Sequence, residues 1–131
     1  MALNRVAPGV RMGDIRSLQD AIGGLQNIDA SASLTALAGG GQATAPQLVN
    51  GMNLIGVCAT NADSVQLPPA IAGSMVVVCN AGAADATVYG KYGRSDTING
   101  TAGATGVTQA DPLAAIYICV VTGAWRRILS A

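Results

Sequence analysis

A run of five consecutive apolar residues, Met75 to Cys79, constrains the fold of this chain more than any other feature. Its three central residues are Val, a β-branched residue that favours strands. Unbroken apolar character predicts a strand that is buried on both faces. We extend this strand to residues 73–80 and predict that residues 86–89 return beside it in a hairpin, with residues 81–85 as the connection. The chain is therefore expected to be organised around a β core.

Turn signals divide the second half of the chain into further short strands. Asn50-Gly51 and Asn99-Gly100 are hairpin signals, because both residue types tolerate positive φ. Pro68 ends a strand, since proline donates no hydrogen bond to a sheet. The predicted strands lie at residues 47–49, 52–60, 65–67, 107–109, 113–121 and 125–129. This pattern predicts an all-β fold, a small antiparallel β sandwich or barrel, preceded by an extended N-terminal arm with a short helix.

The predicted helix lies at residues 14–25. Asp14 suits its first turn or N-cap, and Gly23-Gly24 weaken its end. Four apolar residues spaced by three and four positions form one face of this helix: Ile15, Leu18, Ile22 and Leu25. A helix this short is marginal alone, so the face is expected to pack on the β core, on a neighbouring copy or on a larger partner.

A Ser-, Ala-, Gly- and Thr-rich segment follows the helix, at residues 27–45, and its composition is typical of a linker. Residues 31–38 are predicted to form at most a short helical turn within it. We therefore divide the chain into an N-terminal arm, residues 1–45, and a β domain, residues 46–131.

The composition favours a subunit of an assembly. Half of the 131 residues are hydrophobic, only 11% are charged, and the formal net charge is zero. The surface therefore carries little charge that would repel other molecules. The chain shows neither the basic stripe nor the aromatic residues of a nucleic-acid binder. Its longest apolar run, residues 113–121, is too short to cross a bilayer as a helix. Without an apolar secretory segment, synthesis is expected to end in the cytosol.

The residue types that usually carry catalysis are scarce. The chain contains no His and no Glu, and its seven Asp residues are scattered among turns and caps. Cys58, Cys79 and Cys119 lie in apolar surroundings without metal or redox spacing, so we interpret them as buried thiols, with an intersubunit disulfide as the alternative. We predict no enzyme and no catalytic, cofactor or metal site; calcium held by Asp-containing loops at a symmetry axis is a lesser alternative.

Between residues 65 and 125 the chain carries a succession of turn and strand-end motifs. They are Val65-Gln66-Leu67-Pro68-Pro69-Ala70, the run at residues 73–78, Asn80-Ala81-Gly82-Ala83, Thr87-Val88-Tyr89, Asp96-Thr97-Ile98-Asn99-Gly100 and Gly123-Ala124-Trp125. The succession resembles a β module of tailed-bacteriophage head decoration, cement and head-fibre proteins, over roughly residues 40 to 131. The resemblance implies a trimeric all-β subunit on the outer surface of the capsid, made in the host bacterial cytoplasm. Its partners would be the major capsid protein, further copies of itself and, in a head fibre, another fibre protein.

Two surfaces follow from this hypothesis. In the arm, Arg5, Arg11 and Arg16 are expected to meet an acidic capsid surface, with solvated charges as the alternative. The apolar face of the predicted helix would pack against the capsid or a neighbouring copy.

The rival function is a receptor- or glycan-binding fibre module, in which an aromatic platform is formed by Tyr89, Tyr92 and Trp125. The alternative for Trp125 is a strand residue that covers the edge of the core.

Overall fold

The computed structural model describes residues 5–7, 10–11 and 30–131. All regular secondary structure in these ranges is β, which confirms the predicted class. The strands are β1 (Arg5–Ala7), β2 (Val10–Arg11), β3 (Ala30–Thr35), β4 (Gly51–Val57), β5 (Ser64–Gln66), β6 (Met75–Asn80), β7 (Ala86–Tyr89), β8 (Thr97–Ile98), β9 (Thr101–Ala102), β10 (Val107–Gln109), β11 (Ala114–Val121) and β12 (Ala124–Leu129). The predicted helix at residues 14–25 lies outside the described residues.

The described strands form three sheets. β1 and β2 pair with each other, a large sheet has the order β3-β4-β6-β11-β12-β8-β9, and a small sheet has the order β10-β7-β5. β4 pairs with β6 and β5 pairs with β7, both in parallel. From β4 to β7 the chain therefore passes alternately between the large and the small sheet and winds as a short solenoid. The predicted antiparallel sandwich or barrel is corrected accordingly: the sheets are mixed and the winding is that of a solenoid.

The predicted hairpin of residues 73–80 with residues 86–89 is wrong, because β6 and β7 lie in different sheets. The Asn80 side chain fixes the connection that crosses from β6 in the large sheet to β7 in the small sheet. Its Oδ1 atom accepts a hydrogen bond from the Gly82 backbone N–H at 3.0 Å. Its Nδ2 atom donates to the carbonyl oxygens of Ala84 and Gln109, at 2.9 and 3.0 Å. β6 instead lies between β4 and β11, at the centre of the large sheet.

The central strand β6 is buried on one face only. Val76, Val78 and Asn80 are buried against the small sheet, whereas Met75 is exposed. Apolar side chains on the other face, Val77 included, are only half-buried. The prediction of a strand buried on both faces is therefore corrected, and the apolar run leaves one side of the sheet open.

Of the two predicted Asn-Gly hairpins, one is confirmed. Asn99 and Gly100 both have positive φ and join β8 to the antiparallel β9. At Asn50-Gly51 no hairpin forms, because Gly51 already begins β4 and residues 47–49 contribute only one isolated bridge. The amide of Asn53 replaces the turn: it accepts from the Val49 N–H at 2.9 Å and donates to the Val49 carbonyl at 3.0 Å.

The segment expected to be a linker also contributes to the body. β3 pairs in parallel with β4 at the edge of the large sheet, which corrects the predicted helical turn at residues 31–38. After β3, Leu37 exchanges backbone hydrogen bonds with Ser64 of β5. The division at residue 45 remains a prediction, but residues 30–37 are joined to the sheets by backbone hydrogen bonds.

The core lies between the large and the small sheet. Its largest fully buried side chains include Trp125 and Tyr117 from the large sheet and Leu48 from the loop before β4. Each large apolar side chain buried in this way contributes on the order of 1.5–3 kcal/mol to folding. The core thus fixes which side of the large sheet faces inward and which side remains available to other molecules.

Candidate functional site

The side of the large sheet that faces away from the small sheet carries an apolar row across four strands. In register, Met52 of β4 lies beside Val77 of β6, Val77 beside Ile116 of β11, and Ile116 beside Ile128 of β12. Met52, Ile116 and Ile128 are 52%, 39% and 58% exposed. Large apolar side chains are therefore aligned and open to solvent in the middle of the sheet.

Two further rows flank this one. On one side Leu54 lies beside Cys79, which lies beside Ala114. On the other side Met75 lies beside Ile118, which lies beside Arg126. We call the apolar members of the three rows the outer face: Met52, Leu54, Met75, Val77, Cys79, Ala114, Ile116, Ile118 and Ile128.

The outer face measures about 14 Å across the strands and about 13 Å along them, from the spacing of strands and residues in sheets. Its one charged neighbour in these rows, Arg126, lies at a corner. A patch of this size is within the few hundred Å² that soluble proteins commonly expose, so the alignment of its side chains, not its area, makes it a candidate contact surface.

Sequence reasoning missed the outer face, although a signal was present. We interpreted the run at residues 75–79 as buried on both sides because every residue in it is apolar. In β4 the buried and exposed residues alternate, with Met52 and Leu54 exposed and Asn53 and Ile55 buried. A polar residue on the inner side and apolar residues on the outer side invert the usual pattern. The signal in the sequence is that apolar residues occur on both sides of β4 and β6, but it does not say which side is inner.

The first two residues of the predicted capsid-binding set occupy one register position. Arg5 of β1 is the backbone partner of Arg11 of β2 in an antiparallel pair. Arg16 and the predicted apolar helix positions Ile15, Leu18, Ile22 and Leu25 lie outside the described residues.

The predicted aromatic platform is not formed as a set. Trp125 is fully buried, on the inner side of the large sheet opposite Cys119. Tyr89 is half-buried in the small sheet, and Tyr92 is exposed in the loop that follows. The expectation that Trp125 contributes to a ligand surface is corrected, and its alternative as a core residue holds.

The three cysteines and Tyr117 are partly or fully buried. Cys58 and Cys119 are buried free thiols and Cys79 is half-buried, so the interpretation as buried thiols is correct for two of the three cysteines. Burial, and secondarily the nearby carboxylates, raise the pKa of Cys58. Burial raises the pKa of Tyr117 to about 12, although the adjacent Arg127 opposes this shift. Neither group is ready to act as a base or nucleophile near neutral pH.

Within residues 30–131 and the two short N-terminal strands, no group of three or more Cys and Asp side chains is placed to hold a metal ion. A shallow depression is lined by residues 56–59 and 81–83, which bring mostly Gly, Ala and backbone atoms to it. Among the same residues no helix is long and apolar enough to span a membrane.

No family model, no curated protein and no solved structure matches this chain.

Proposed function

We propose that the protein is a structural subunit of a bacteriophage virion that decorates and stabilises the outside of the capsid, as a cement or head-fibre subunit. The observation that carries the proposal is the register of Arg5 with Arg11 in the strand pair ahead of the body. In a chain with a formal net charge of zero, this concentrates basic residues at one place. The predicted partner is an acidic surface of the major capsid protein, bound by the N-terminal arm.

The rest of the molecule supports a structural role. The body is a wound β scaffold with one continuous hydrophobic core. A second group of exposed apolar side chains lies outside the outer face. It is found where the turn between β11 and β12 meets the segment before β6. These are Ile71, Val120 and Val121, which are 57%, 72% and 66% exposed. We infer that this end packs against further copies in a homotrimer, because an assembly buries such apolar area repeatedly.

Charge reversal in the arm tests the proposal. The double variant Arg5→Glu with Arg11→Glu should lose most co-sedimentation with capsids from which the protein has been stripped, and the affinity should fall at least tenfold. The physical reason is that two attractive charge pairs with an acidic surface become repulsive. The measurement is the bound fraction at increasing protein concentration, repeated at two salt concentrations, since charge attraction weakens with salt.

The matched control reverses two charges in the body, Lys91→Glu with Arg126→Glu, and so changes the net charge by the same amount. This control should bind capsids like the unaltered protein. Equal binding by both double variants would contradict an arm-mediated contact. If the unaltered protein ignores capsids but binds immobilised glycans, the receptor-binding function replaces the proposal, with Tyr92 as the exposed aromatic residue to substitute first.

A further inference from the structure

We propose that the outer face binds the outer face of a second copy of this chain, so that two large sheets pack face to face. The outer face lies on the side of the large sheet opposite the small sheet, and its central row is open to solvent. It is separate from the end that carries Ile71, Val120 and Val121, through which the proposed homotrimer would form. The inference concerns the isolated protein and does not rest on the virion function.

The composition of the outer face fits a contact between identical subunits. Within the described strands β4, β6, β11 and β12, Arg126 is the one charged residue that points to this side, and no Ser, Thr, Asn or Gln does. Interfaces of homodimers are more apolar than those of non-obligate complexes, and their centres are poor in charge. An acidic capsid surface would find a single complementary charge here. The outer face therefore fits a second copy better than it fits the partner proposed for the arm.

The size of the outer face sets the strength of this contact. With half a spacing added on every side, four strands and three rows of outward residues cover about 19 by 20 Å, or roughly 400 Å² in plan on each copy. Two such faces bury about 800 Å² in plan, and more once the relief of the side chains is counted. Specific interfaces begin near about 1,000 Å² in total, and those below about 1,200 Å² are weak. We therefore expect a dimer that dissociates in the micromolar range.

Sheet geometry brings the two apolar rows into contact. Facing sheets lie about 10 Å apart with their strands within about 30° of each other, and side chains of both inner faces fill the space between them. The central row offers Met52, Val77, Ile116 and Ile128 for this purpose. Met and Ile side chains are long enough to reach across half of that spacing. Arg126 lies at a corner of the outer face, so its charge stays at the hydrated rim of the contact.

Lysine at both ends of the central row tests the contact. Met52→Lys with Ile128→Lys would place charges against an apolar surface, so the dissociation constant of the dimer should rise at least tenfold. Light scattering of the full chain, from below to far above micromolar concentration, measures the mass. At concentrations where the unaltered protein is fully associated, the variant should have half its mass. Halving from six subunits supports the proposed trimer as well, whereas halving from two supports the outer-face contact alone.

The matched control is Val57→Lys with Tyr92→Lys, which adds the same charge at two residues that are 51% and 56% exposed outside the outer face. Its mass should equal that of the unaltered protein. All four substituted residues are exposed, so these changes leave the core intact. The proposal is overturned if the outer-face variant and the unaltered protein have the same mass at every concentration. It is also overturned if the control loses as much mass as the outer-face variant.

Cross-linking tests the same contact without adding charge. Ile116 lies near the centre of the outer face, so its two copies should come within reach of a short bifunctional maleimide. In Ile116→Cys with Cys79→Ser, the linker should join the introduced thiols of two chains into a product of dimer mass. Val57→Cys with Cys79→Ser is the control and should give no such product. Absence of the dimer product from the Ile116→Cys protein, or equal yields in the two variants, would overturn the proposal.

Discussion

At the scale of single residues, Asp63 shows how a carboxylate in this chain serves the fold. Its Oδ2 atom accepts a hydrogen bond from the Ala59 N–H at 2.7 Å, and its Oδ1 atom accepts one from the Thr60 hydroxyl at 2.7 Å. The Gly39 N–H also donates to Oδ1, at 3.2 Å, which joins the loop after β3 to the loop before β5. The Thr60 hydroxyl, followed by backbone N–H groups, lowers the pKa of Asp63 below its ordinary value.

This lowered pKa predicts a specific acid sensitivity. A carboxylate whose pKa is lower in the folded state stabilises the protein above its unfolded pKa of about 3.9, and the contribution is lost as pH falls through the folded value. Thr60→Val removes the hydroxyl donor, so the stability difference between pH 6 and pH 2 should become smaller. Urea denaturation across this range measures it. The matched control is Thr105→Val at another exposed turn, and an unchanged pH dependence in Thr60→Val would contradict the assignment.

Residue-level reasoning from the sequence succeeded where the interaction is local. Asp63 was predicted to occupy a turn, and most of its hydrogen-bond donors lie within four residues of it. The burial of Trp125 depends instead on how β12 is placed in the large sheet and on what lies opposite it across the core. No local pattern determines that arrangement, so both a surface and a core role for Trp125 remained open.

At the scale of elements, the two Asn-Gly segments show the same distinction between local interactions and contacts that are distant in sequence. The turn at Asn99-Gly100 was predictable because β8 and β9 pair directly across it. At Asn50-Gly51 the Asn53 side chain also donates to the Val77 carbonyl at 3.1 Å, and so connects the segment to β6. That contact is far away in sequence, and it converts an expected hairpin into the start of a parallel strand.

The Asn99-Gly100 turn permits a sharp substitution test. Gly100 has φ +84°, and a Cβ atom added there would meet no atom within 4 Å, so any cost of substitution comes from the backbone conformation. Gly100→Ala should lower the free energy of unfolding by about 1–2 kcal/mol. Gly100→Asn should cost less, because Asn adopts positive φ more readily. Chemical denaturation of the two variants measures the difference, and equal losses would contradict a cost set by the positive φ of this position.

At the scale of the whole molecule, the N-terminal arm and the body make separable predictions. Removal of residues 1–29 deletes Arg5, Arg11 and Arg16 but keeps every strand of the large sheet, since β3 begins at Ala30. Under the proposed function this truncation should abolish capsid binding while the body remains folded, because the arm supplies the basic residues that meet the capsid.

Co-sedimentation with stripped capsids and chemical denaturation of the truncated protein test the two expectations. The unaltered chain is the reference. Capsid binding equal to that of the unaltered chain would contradict an arm-mediated contact.

The position of β6 also has a consequence for how the protein folds. Its parallel neighbour β4 precedes it in the chain, but its antiparallel neighbour β11 follows only after four further strands, β7 to β10. During synthesis, one edge of β6 therefore stays without its backbone partners until residues 114–121 leave the ribosome. Native pairings between such distant segments close slowly, and unpaired strand edges attract other chains in the meantime. We accordingly expect completion of the large sheet to be the slow step of folding and the stage at which the chain most needs protection from aggregation.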